Sequence, residues 1–167
     1  GIGTLFLEMA PSQPRLTSAV QKTTKVPVWK SIDVGTPWLE GTEAARRASY
    51  RTRALTLCAS GLLFMMWIGS PWHLLCGERV QRCFDEEGGQ IRPWNWTLGD
   101  SDPVMEYIHD SLKFCELQAR NKGFYAWQVH GPSRMWEEPH VARMMQDTGG
   151  VLVTWREKRP IRNTQNE

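Results

Sequence analysis

Between Ala54 and Gly77 the chain has no aspartate, glutamate, lysine or arginine. His73 is the only titratable side chain there apart from cysteine. A segment without charge on any side has no face for water and must be buried, in protein or in lipid. Other absences narrow the function. No C-x-x-C pair occurs, so a structural zinc site or a thioredoxin-like motif has no support. There is no glycine-rich phosphate loop and no dinucleotide fingerprint. Residues 1–30 lack the apolar run of a secretory signal. No dense basic patch is present, and the net charge of +2 argues against a nucleic-acid partner. A mean hydropathy of −0.45 excludes several membrane spans and leaves room for one.

The charge-free stretch organises the rest of the reading. Thr42 is a good helix N-cap, and Glu43 suits the first turn. No proline interrupts the sequence from Glu43 to Gly69, so the pattern predicts one helix over 42–77 that loses regularity at Pro71. Its first part, through Arg53, is polar; the part from Ala54 onward is apolar all round. Three features favour lipid. Arg51 and Arg53 stand where long side chains snorkel to headgroups. Trp67 and Trp72 stand where an aromatic belt would lie. The run Leu62 to Ile68 leaves no polar face. Ala54, Cys58 and Gly61 form a small-residue face suited to helix packing. The competing expectation is a helix buried in protein, because the apolar run is short for a span.

Arg46, Arg47, Arg51 and Arg53 on the N-terminal flank orient such a span with the N-terminus on the cytoplasmic or matrix side. Residues 1–41 then read as an extended arm, broken by Pro11, Pro14, Pro27 and Pro37, with Trp29, Ile32 and Trp38 as anchors on a neighbour. Residues 78–167 read as a small lobe with a polar tail. Its clearest element is an amphipathic helix over 102–122: Asp102 caps, Pro103 fits the first position, and Val104, Ile108, Leu112, Cys115 and Ala119 share one face. Phe124–Val129 and Val151–Trp155 read as strands paired antiparallel, with a short helix after Glu138-Pro139 between them. The expected fold class is a mostly α membrane protein with one transmembrane helix, an extended N-terminal arm and a small α/β C-terminal lobe.

The chain holds nine tryptophans, a residue favoured where one end of a ring is dry and the other wet. Of the four cysteines, Cys58 lies inside the apolar stretch. Cys76, at its C-terminal end, and Cys83 and Cys115, after it, are candidates for one disulfide in an oxidising compartment. Asn95-Trp96-Thr97 is a glycosylation sequon. The four histidines, His73, His109, His130 and His140, assemble into no triad or metal set by spacing.

These features predict a non-catalytic accessory subunit of a larger membrane complex. An organelle inner membrane, such as that of a mitochondrial respiratory complex, fits best. The expected partners are other subunits and the bilayer; no cofactor, metal, catalytic residue, nucleic acid or small-molecule substrate is expected. Two alternatives share the span. Gly1 and Glu167 suit a viral polyprotein product that anchors a replication complex, and Asn95 suits a type II membrane glycoprotein.

Overall fold

A computed structural model of the chain describes residues 3–11, 13–38, 44–71, 103–129 and 134–155. Its centre is strand β1, Leu5–Ala10, whose side chains from Phe6 to Ala10 are all buried. Helix α1 (Arg15–Thr23) follows, then the short strand β2 (Ile32–Asp33) and a 3-10 turn at Thr36–Trp38. Helix α2 (Ala44–Ala59) leads into strand β3 (Leu63–Gly69). Helix α3 (Pro103–Arg120), strand β4 (Phe124–Gln128), a 3-10 turn at Arg134–Glu137 and helix α4 (Pro139–Thr148) complete the described elements. The four strands form one sheet in the order β2-β1-β3-β4, and every pairing is parallel.

Alternation along β1 assigns the two faces. Glu8 points to α1, where it bonds Thr17. Its neighbour Met9 points to the opposite face, where the Tyr50 hydroxyl of α2 reaches its sulfur at 3.9 Å. Thus α1 lies on one face, and α2 and α3 pack together on the other. The main core lies on the α2/α3 side: Leu7, Met9, Met66 and Ile68 from the strands meet Tyr50, Ala54 and Cys58 of α2 and Ile108, Phe114 and Cys115 of α3. Tyr50, Ala54 and Cys58 recur every fourth residue, which sets them on one helical stripe. Edge-to-face aromatic contacts tie the layer together: Trp38 meets Tyr107 at 5.7 Å and Tyr50 at 6.3 Å, and Tyr50 meets Phe114 at 5.8 Å.

The expected transmembrane helix is not formed. Helix α2 stops at Ala59, and Gly61 adopts a left-handed φ of 71°. That conformation ends helices and suits glycine, which has no Cβ to clash. Asn121, just after α3, donates to the Cys58 carbonyl at 2.8 Å, satisfying one of the acceptors left at the helix end. The apolar run then becomes an interior parallel strand. Such strands are covered on both faces and read as continuous hydrophobic runs. Among the described residues no helix is long and apolar enough to cross a membrane. The membrane fold class, the single-pass topology and the inner-membrane localisation are therefore corrected to an α/β fold with a parallel sheet.

The N-terminal arm is corrected with them. Residues 5–10 are a central strand, Ile32 is buried in β2, and Trp38 is buried over the end of α2. Prolines 11 and 14 punctuate a strand-to-helix connection instead of spoiling a helix. The C-terminal segment differs as well. The expected antiparallel pair does not form: β4 pairs parallel with β3, from Met65↔Phe124 to Gly69↔Gln128. Val151–Trp155 has no regular secondary structure and does not join the sheet.

Candidate functional site

In an open parallel sheet, ligands bind beyond the carboxyl ends of strands where the chain order reverses, because connections leaving to opposite faces open a crevice there. Here the reversal falls between β1 and β3. From β1 the chain goes to α1 on one face; the next described helix after β3 is α3, on the other. The residues at this point are Ala10 and Pro11 at the end of β1, Asp33 and Gly35 at the end of β2, and Gly69 and Ser70 at the end of β3.

These ends are drawn tightly together. A Cβ on Gly35 would collide with the Pro11 carbonyl, so only glycine lets the two loops approach. A Cβ on Gly69 would sit 3.0 Å from the Pro11 ring and 3.2 Å from the Met9 carbonyl. Asp33 holds its own loop: its Oδ1 accepts the backbone N–H of Gly35 at 2.7 Å and of Thr36 at 3.2 Å. Its side chain is exposed, and a carboxylate has further lone-pair sites for outside donors.

The start of α1 would ordinarily be the place for a phosphate. It is already filled. The buried Glu8 carboxylate accepts the Thr17 N–H at 2.6 Å, the Thr17 hydroxyl at 2.7 Å and the Leu16 N–H at 3.3 Å. Pro14, the residue at the cap position, supplies no side-chain bond, so Glu8 does the capping from the neighbouring strand. An internal carboxylate thus neutralises the positive end of the helix.

On the α3 side, the Tyr107 hydroxyl donates to Ser70 Oγ at 3.1 Å and lies 3.5 Å from the Gly69 carbonyl. Burial pushes this hydroxyl up to about 12, against the lowering influence of Ser70, Ser111 and Trp127. Ser111 Oγ and Trp127 Nε1 are buried and make no hydrogen bond of good geometry. Trp127 stacks edge-to-face on Trp136 at 5.4 Å.

Two groups of ion pairs involve buried carboxylates of the helices. Arg51 binds Asp110 Oδ1 at 2.7 Å and Glu106 Oε1 at 2.6 Å, and Arg47 binds Glu106 Oε2 at 3.2 Å. Burial raises the Asp110 carboxyl, with Arg51 opposing the shift. Farther along, the buried Glu138 caps α4 through Val141 N–H at 3.0 Å and bonds His140 Nδ1 at 2.7 Å. Burial also lowers the His109 imidazole, reinforced by Lys113, Arg51 and His140. Among the described residues no group of three metal-ligating side chains occurs.

The residues singled out in the sequence are dispersed. Arg51 is in the ion-pair network between α2 and α3, while Arg53 lies exposed on α2. Trp67 is within β3 and donates its indole N–H to Gln128 Oε1 at 3.2 Å. Ala54 and Cys58 are buried on the α2 stripe, and Gly61 is in the turn after it. Cys115 is a buried free thiol, as is Cys58. Trp72, Cys76, Cys83 and Asn95 lie outside the described residues.

The site residues Glu8, Asp33, Ser70, Tyr107, Ser111 and Trp127 carried no motif in the sequence. Asp33-Val34-Gly35 alone had a local signal, since aspartate two residues before glycine favours a turn held by the aspartate side chain. Comparison with protein-family models, with curated proteins and with solved structures finds no match.

Proposed function

We propose that the chain is a binding domain for a small, phosphate-free nucleoside-type ligand held at the carboxyl ends of β1 and β3. The observation that carries this reading is the reversal of chain order between those strands, in the parallel order β2-β1-β3-β4. The acid after β2 stands where such folds hydrogen-bond ribose hydroxyls, and Asp33 is exposed there. Glu8 makes a phosphate at the α1 N-terminus unfavourable, since two anions would compete for the same N–H groups. This reading departs from the expected absence of a small-molecule ligand. Calorimetric titration with adenosine tests it. Wild-type protein should bind, and Asp33→Asn should bind about tenfold more weakly, the cost of replacing a charged acceptor by a neutral one. No binding by wild type would remove the reading.

A role in assembly is a second reading, favoured by one surface feature. Val151 is 81% exposed and Trp155 56%, with Leu152 and Val153 exposed between them. Scattered surface apolar residues are ordinary, but a contiguous exposed run marks an interaction site. Sedimentation should show self-association that Leu152→Asp abolishes; a concentration-independent monomer would count against it.

A further inference from the structure

The polar group beneath the end of β3 holds two buried donors that lie against the Tyr107 hydroxyl and make no hydrogen bond of good geometry. Ser111 is fully buried, and its Oγ has no hydrogen-bond partner. The indole Nε1 of Trp127, which can only donate, is buried without a partner as well. Both side chains act on the hydroxyl of Tyr107, which already donates to Ser70 Oγ at the end of β3. Leaving a buried donor unsatisfied is destabilising, so two in one place call for a better-placed acceptor. The place adjoins the strand ends: Ile68 pairs with Trp127 and Gly69 with Gln128, and Ser70 follows directly.

We propose that the Tyr107, Ser111 and Trp127 cluster is the subsite for an uncharged hydrogen-bond acceptor of the bound molecule, a ring nitrogen or carbonyl of a nucleobase. The groups that act on the Tyr107 hydroxyl at the centre of this cluster are Ser70, Ser111, Trp127 and Cys115, none of them cationic. A carboxylate or phosphate entering here would lose its hydration without a countercharge, whereas a neutral acceptor loses far less. Trp127 and Trp136 add an aromatic wall on which a planar ring gains contact area. The specificity that follows is of a recognised kind: a buried site built to donate rejects molecules that lack the acceptor.

This inference rests on the nucleoside reading above, and one titration separates the two. Adenosine is added to the full chain labelled with nitrogen-15, and both backbone amides and indole N–H signals are followed. Trp127→Phe identifies the Trp127 indole signal by its disappearance. The expected result is a downfield movement of that indole N–H together with amide shifts at Ala10, Gly35, Gly69 and Ser70. Ser111→Ala should then weaken adenosine about tenfold, while 2-deoxyribose, which lacks the base, should leave the indole unmoved. Amide shifts at the strand ends with an unmoved indole would overturn the subsite and leave the crevice standing. No shift anywhere would overturn both. A crystal structure with adenosine bound that shows only an ordered water between Ser111 and Trp127 would also overturn the subsite.

Discussion

The Glu8 carboxylate, on the central strand, caps the helix that begins beside Thr17, with its Oε2 2.6 Å from the Thr17 nitrogen. Strand and helix are thereby fixed to one another through a buried charge–dipole contact. Glu8→Ala removes three hydrogen bonds at once and leaves the first turn of α1 unsatisfied. The variant should lose about 2–3 kcal/mol in urea unfolding. Glu8→Gln keeps an acceptor and should lose roughly half as much. Equal losses for the two would show that the charge, not the hydrogen bonding, holds the joint.

Arg51 is the partner that makes a buried Asp110 tolerable. Asp110 is 4% exposed and its Oδ2 accepts no bond. Arg51→Met should destabilise by about 1–3 kcal/mol, a range that allows for the partial exposure of Arg51. Adding Asp110→Asn should recover part of that loss, because the orphaned carboxylate is gone. A double variant as weak as the sum of the singles would contradict the coupling.

His109 makes the fold sensitive to mild acid. Burial lowers its folded-state value below the ordinary 6.5. The folded state therefore binds its proton less readily than the unfolded state does. The stability from this group is present above the unfolded value and is lost as pH falls through the lowered folded value. Between about pH 7 and about pH 5, wild type should lose more stability than His109→Gln, read from paired denaturation curves. Parallel curves would refute the assignment.

The two core thiols should be inert. Burial pushes Cys58 up to about 12 and raises Cys115 well above its ordinary value. The thiolate is the reactive form, so both should resist alkylation in the native protein near neutral pH and react once denatured. Peptide mass analysis after timed labelling checks each site. Rapid native labelling of Cys58 would mean that α2 does not lie on β3.

Some of this was legible in the residues, and the rest was hidden for identifiable reasons. Pro103, the apolar face through Ile108 and Leu112, and the Lys122-Gly123 end mark α3 plainly, with Lys122 at a φ of 60° closing it. Glu138-Pro139 and Gly149 bracket α4 in the same way. By contrast, Leu63–Gly69 is apolar on both faces and shows no alternation of residue type, so its periodicity could not separate strand from helix. Gly61 was the available clue: a glycine between a helical pattern and a run of bulky apolar residues can end the first element. Leu5–Ala10 was hidden by Glu8, a charge in the middle of a short strand that makes sense only with Thr17 beside it. The crevice was not legible at all, because Pro11, Asp33 and Gly69 meet only through parallel pairing of strands far apart in sequence.

Hydrogen exchange with and without adenosine tests the central claim most directly, since it reports every strand end in one experiment. Slower exchange confined to peptides spanning Met9–Pro11, Asp33–Thr36 and Gly69–Pro71 is the result this account predicts. Unchanged exchange at all three, or protection confined to Val151–Trp155, would contradict it.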